Sequence, residues 1–200
     1  MKIVAGTSSY FAGIDLDPGE KHFLTTLFSD VAKLLTPEDD GDVDPFERLV
    51  GMVDVDRPVD PALLRLLPDA DSEDPERSRE FRRHTEFDLR EQKLANLRIV
   101  LHSLESTGRI KLTQDQVLAW TKALTDTRLV LASRLEVTTE ADFEELYAEE
   151  DTLDEQRSTM LTLYDFLTWA QERLTGVLMD ALDDEEPAAG ADDSGEDDGS

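Results

Sequence analysis

Residues 75–135 read PERSREFRRHTEFDLREQKLANLRIVLHSLESTGRIKLTQDQVLAWTKALTDTRLVLASRL, and this stretch decides the fold. Asp74 followed by Pro75 is a helix start, because proline fits the first helical turn, where its missing N–H is not needed. The helix is expected to run to about Glu105. Phe87, Leu94, Leu97, Leu101 and Leu104 form an apolar seam at near-heptad spacing along it. Gly108 stops it, and Arg109-Ile110-Lys111-Leu112 reads as a short strand. Thr113 and Gln116 have the spacing of a capping box and open a second helix, about 114–135, with Val117, Trp120, Leu124, Leu131 and Leu135 as its apolar stripe. Two long amphipathic helices joined by a short strand predict a mainly α fold.

Outward from this hairpin the pattern continues. Lys2-Ile3-Val4 and Tyr10-Phe11-Ala12-Gly13-Ile14 are β-leaning runs, with Gly6-Thr7-Ser8-Ser9 available to turn between them. A lone hairpin is marginal, so it must pack on helices or on a third strand, for which 109–112 is the candidate. Asp17, Pro18 and Glu20 mark the start of a helix that carries Phe23, Leu24, Leu27, Phe28, Val31 and Leu34 and ends near Leu35. Residues 36–45 read as an acidic loop. Short helical pieces are expected at 45–53 and 61–67, broken by Pro58, Pro61 and Pro68. Thr139 can cap a short helix at 140–149, and a final helix covers about 155–182. Its wide apolar stripe, from Met160 to Ala181, either packs inside the bundle or forms a homodimer face. Residues 183–200 hold nine acids, no base and no large apolar side chain, the composition of a disordered tail. The domain expectation is one mostly helical unit, 1–182, plus that tail.

Composition narrows function. The 200 residues carry 20 basic and 47 acidic groups, a formal charge of -27. Such a molecule repels phosphates, which disfavours non-specific DNA and anionic membrane binding. The charge is uneven: residues 1–76 are net -12, residues 77–134 net +5 and residues 135–200 net -20. There is no cysteine, so disulfides, thiolate catalysis and cysteine-ligated zinc are excluded. No apolar run is long enough to span a bilayer. The start Met1–Gly6 lacks the apolar core of a secretory signal, and a cytoplasmic location is expected.

The chemistry-bearing constellations are few. No GxSxG, Walker-type or GxGxxG loop is present, so no enzyme, cofactor or metal is expected. The loop 36–47 places Gly41 and Glu47 at EF-hand positions, but Thr36 stands where the first ligand should be aspartate. His22, His84 and His102 have no ligand spacing. The basic residues are more informative. Continuing the long seam backward lands on Arg90 and Arg83, and Arg128 interrupts the stripe of the next helix. A core-facing arginine needs an anion, because an unpaired buried charge is costly. Either Arg83, Arg90 and Arg128 converge on an anionic ligand or an acidic partner segment, or they pair internally with Glu80, Glu86, Asp88 or Asp126. Arg79, Arg82, Arg83 and Lys93 also form a local basic patch suited to phosphate.

Four blocks resemble a known family. They are Glu80-Phe81-Arg82-Arg83-His84-Thr85-Glu86-Phe87-Asp88-Leu89-Arg90 with Lys93-Leu94-Ala95-Asn96; Leu66-Leu67-Pro68-Asp69-Ala70; Ala119-Trp120 through Thr127-Arg128-Leu129-Val130-Leu131 to Arg134-Leu135; and Leu163-Tyr164-Asp165-Phe166-Leu167-Thr168-Trp169. Together they resemble a small actinobacterial family whose described members are AosR-like oxidative-stress transcription regulators. The resemblance implies a non-enzymatic co-regulator that joins an extracytoplasmic-function sigma factor and meets promoter DNA only with that partner. The family's described switch is a disulfide, which a chain without cysteine cannot form. Family members are also often encoded near a Clp protease adaptor, which leaves a proteolysis accessory role as another reading. An anion- or small-ligand-binding helical module remains the alternative from the residues themselves.

Overall fold

The computed structural model describes residues 1–37, 59–68 and 75–185, with backbone alone for 75–85 and 182–185. Six helices and a three-stranded antiparallel sheet are present among the described residues. In chain order these are β1 (Lys2–Thr7), β2 (Tyr10–Asp15), α1 (Pro18–Leu35), α2 (Pro61–Leu66), α3 (Pro75–Leu104), β3 (Ile110–Leu112), α4 (Gln114–Arg134), α5 (Glu140–Ala148) and α6 (Glu155–Glu185). The expected piece at 45–53 lies outside the described residues, as does 186–200. The last helix extends to Glu185, three residues past its expected end.

The sheet order is β1-β2-β3, so the strand after α3 does pair with the N-terminal hairpin. Ile3 opposes Ile14, which opposes Ile110, and this row faces the helices, every member buried. The turn is shorter than the sequence suggests. Gly6 and Thr7 belong to β1, and Ser8-Ser9 alone reverse the chain. Gly6 is needed for close approach: a Cβ there would lie 1.9 Å from the Tyr10 carbonyl oxygen. Arg109 closes the β2–β3 end by a bidentate ion pair to Asp15, at 2.8 and 2.6 Å.

The helix starts follow local chemistry. Asp17 with Glu20, Thr113 with Gln116 and Thr139 with Asp142 each complete a reciprocal capping box. The core then assembles around Trp120 of α4, which is fully buried. Its indole N–H donates to Ser103 Oγ of α3 at 3.0 Å, and Ser103 in turn donates to the Val100 carbonyl at 2.7 Å. Phe28 of α1 meets the indole edge-on, with ring centroids 5.7 Å apart. One side chain thus joins three helices.

The α3 seam differs from its expectation. Leu94, Leu97, Val100 and Leu104 are buried, Leu101 is half-buried and Phe87 is 39 % exposed. The core ends near Arg90, so the heptad extrapolation overshoots by about one turn. All five expected α4 stripe residues are buried.

The C-terminus of α4 has a feature that no residue type announced. Glu136 adopts a left-handed backbone, φ 62°. Val137 N–H bonds the Ala132 carbonyl at 2.9 Å and Glu136 N–H bonds the Ser133 carbonyl at 3.2 Å, the two bonds of a Schellman motif. Arg157 donates to the Leu135 carbonyl at 3.2 Å and Arg65 to the Val137 carbonyl, so two cations meet the negative end of the helix dipole.

Two stability outcomes follow from these sites. Glu136→Gly removes a left-handed Cβ clash and is expected to stabilise the fold by about 1 kcal/mol. Ser103→Ala leaves the Trp120 N–H without an acceptor and is expected to cost about 1–3 kcal/mol. Urea unfolding at neutral pH measures both.

Candidate functional site

The six basic residues singled out from the sequence separate into three groups. Arg79, Arg82 and Arg83 occupy the first turns of α3, and their side chains lie outside the described ones. Arg90 and Lys93 follow on the same helix, and each is satisfied internally. Arg90 donates to Glu86 Oε1 at 2.5 Å and to the Leu35 carbonyl at 2.8 Å, capping the C-terminus of α1. Lys93 donates to Asp126 Oδ1 of α4 at 2.5 Å. The side chains of Glu86 and Asp126 are each 5 % exposed, so these are buried pairs. Burial pushes the Asp126 carboxyl up from its ordinary value, against the opposing pull of Lys93.

Arg128 goes elsewhere. It stands two residues after Asp126, about 200° around the helix, and so turns away from α3 towards α6. Its guanidinium lies 4.8 Å from the centre of the Tyr164 ring, donates to the Tyr164 hydroxyl at 2.9 Å and to Gln171 Oε1 at 2.8 Å. Gln171 is itself held by Thr125 at 2.9 Å. No carboxylate among the described residues pairs with Arg128, and its buried Nε has no hydrogen-bond partner. Of the two readings left open, internal pairing holds for Arg90, Arg128 takes neutral partners, and the two do not converge on one anion. Arg90 turns to Glu86 and the end of α1, while Arg128 leaves α4 on the side that faces α6. Of the four suggested internal partners, Glu86 does take Arg90, Asp126 takes Lys93 instead of an arginine, and Asp88 is exposed.

The most strongly charged described surface is acidic. From Glu136 to Gln156 the chain carries ten carboxylates and no Lys or Arg. All but the half-buried Asp142 are exposed. They sit on α5, the 3-10 turn Glu150–Thr152, the joints on either side and, for Glu155, the first residue of α6. Asp142 is held well below the usual carboxylate range by hydrogen bonds from the Thr138 hydroxyl and from the Thr138 and Thr139 N–H groups. The sequence signal was present in the density of acids, but only the fold shows that they form an exposed surface rather than neutralising the basic middle third.

Other candidates resolve simply. His22 and His102 are exposed, and His102 lies 3.2 Å from Glu105. Most of the 36–47 loop lies outside the described residues. Among the described residues no cluster of His, Asp and Glu could hold a metal, and no helix is long and apolar enough to cross a membrane.

The buried pair can be tested by contrasting variants. Asp126→Ala leaves Lys93 with a buried unpaired charge and is expected to cost on the order of 3 kcal/mol. Replacing both partners, Lys93→Met with Asp126→Leu, is expected to restore stability to within about 1 kcal/mol of the native chain. Thermal unfolding of the two variants distinguishes a buried charge network from a surface contact.

No curated protein and no solved structure matches the chain. A family model does, over residues 6–178, from β1 almost to the end of α6. The match takes in the Trp120 core, the Lys93–Asp126 pair and the acidic lobe together, and the chain belongs to the family described as Domain of unknown function (DUF2017).

Proposed function

We propose that this protein is a cytoplasmic transcription co-regulator of the stress response that acts by protein–protein contact, with an extracytoplasmic-function sigma factor as its partner at promoters. The sequence blocks that resemble AosR-like regulators supply the partner class. The observation that carries the contact mode is the acidic surface from Glu136 to Gln156, exposed on a helical frame. Ten carboxylates with no Lys or Arg among them in the chain attract a basic partner surface and speed encounter. Buried pairing of Arg90 and Lys93 reduces the basic patch to Arg79, Arg82 and Arg83, which contact promoter DNA already held by the partner. With no cysteine in the chain, activation comes through the partner rather than an internal disulfide. The second reading, an anion-binding module, is carried by Arg128 alone, a half-buried cation with neutral partners.

The deciding measurement is a titration of the full chain at physiological salt against promoter DNA, a stress-type sigma factor, and both together. Binding is expected only where the sigma factor is present. Charge-neutral Gln at Glu144, Glu145, Glu149 and Glu150 is expected to slow association about tenfold at low salt. Arg82→Glu with Arg83→Glu is expected to abolish promoter activation while leaving the fold intact. No binding in any of the three titrations overturns the reading, and unchanged activation removes the role given to the two arginines.

A further inference from the structure

The acidic lobe is joined to the molecule in an unusual way. Its apolar side chains do not belong to the main core. Leu146 packs with Leu135, Val137 and Leu161 in a small separate cluster, with Phe143, Leu153 and Met160 at its edge, Met160 of α6 touching the main core as well. The backbone of α5 approaches the turn that follows it more than it approaches α4 or α6. Side chains make the attachment. Phe143 lies against the Tyr164 ring of α6, with centroids 4.7 Å apart, and the Tyr147 hydroxyl donates to Asp165.

Both ends of the lobe are joints beside helices that are already finished. On one side α4 is closed by its Schellman motif, and the left-handed Glu136 stands at the turn. On the other, Leu153 is extended and Asp154 accepts from the Arg157 N–H at 2.8 Å, capping the start of α6. Neither α4 nor α6 needs the lobe for its own end groups. The lobe also opposes its own attachment. One more carboxylate, Asp165 of α6, stands at the attachment as the acceptor for Tyr147, so like charge meets the acidic lobe there.

We infer that α5 and its following turn form a hinged flap, which pivots at Leu135–Val137 and Leu153–Asp154 and covers an aromatic face centred on Tyr164. Opening separates Phe143 from Tyr164 and uncovers Leu146, Leu161 and the ring on which Arg128 rests. The bundle stays closed, because the Trp120 cluster shares none of the flap's buried side chains. A few weak contacts over a small apolar area are the hallmark of a unit that opens below the global unfolding free energy. This inference does not depend on the sigma-factor reading and stands if that reading fails.

Hydrogen exchange of the full chain at neutral pH tests it. The amides of Phe143–Ala148 are expected to exchange as one group, about 100-fold less protected than those of Ala119–Leu131 in α4. Raising salt from 20 to 500 mM screens the repulsion and is expected to increase flap protection severalfold while α4 is unchanged. Phe143→Ala is expected to lower flap protection about tenfold and leave α4 alone. Tyr147→Phe, which keeps the ring and loses the hydroxyl, is expected to lower it about threefold. Equal protection of α5 and α4, or an equal loss in both helices with either variant, overturns the hinge and makes α5 part of the global unit.

Discussion

The hydrogen bond from the Trp120 indole to Ser103, with Phe28 against the ring edge, is the constraint on which the bundle depends. The indole fills the space between α1, α3 and α4, and its one polar atom must find an acceptor there. Ser103 supplies it, and its own hydroxyl proton is satisfied one turn back at Val100. This fixes the axial register of α3 against α4. Once that register is set, Lys93 falls opposite Asp126, and Arg90 reaches the last turn of α1. The charged pairs therefore sit where the apolar seam has run out. They close the core against water rather than forming its interior, and their value is in excluding other registers more than in net stability.

Much of this was legible because it is local. Asp17-Pro18-x-Glu20, Thr113-x-x-Gln116 and the proline at 75 act within one helical turn, so their meaning does not wait for the fold. The strand at 110–112 was also readable, and of the two supports open to the hairpin, helices or a third strand, the fold supplies the strand. What was not legible required knowing which faces meet. Phe87 has the right spacing to be core, yet it is 39 % exposed while its neighbour Glu86 is buried, so the inward face of α3 at this turn is not the one the seam extrapolates. Val100, off the heptad, is buried because a straight helix drifts relative to a seven-residue repeat. Arg90 and Arg128 both interrupt apolar stripes, but the stripes belong to different interfaces, and a sequence does not state which. Glu136 could not be foreseen at all, because glutamate is a poor choice for a left-handed position.

The charge distribution gains a spatial meaning from these contacts. A basic middle third between acidic flanks suggests internal neutralisation, and part of it is spent in that way: Lys93 on Asp126, Arg134 on Asp60, Arg109 on Asp15. The acids between Glu136 and Gln156 take no share in this. They gather on the one described element whose apolar anchor is separate from the main core. Charge and mobility therefore coincide at one place, while the opposite end, where the sheet meets the helices, is held by ordinary packing and a bidentate ion pair.

The pairing of β2 with β3 brings Ala12 beside Leu112, about a hundred positions apart in the chain. Closing a loop of that length carries a large entropic cost, and a three-residue strand returns little for it. The α3–β3–α4 hairpin, by contrast, is made of neighbours. Folding is therefore expected to begin with the two long helices locking at Trp120, and the N-terminal ribbon to dock last onto an edge already presented to it. During synthesis β1 and β2 leave the ribosome well before β3, and the ribbon waits for its third strand to emerge about a hundred residues later.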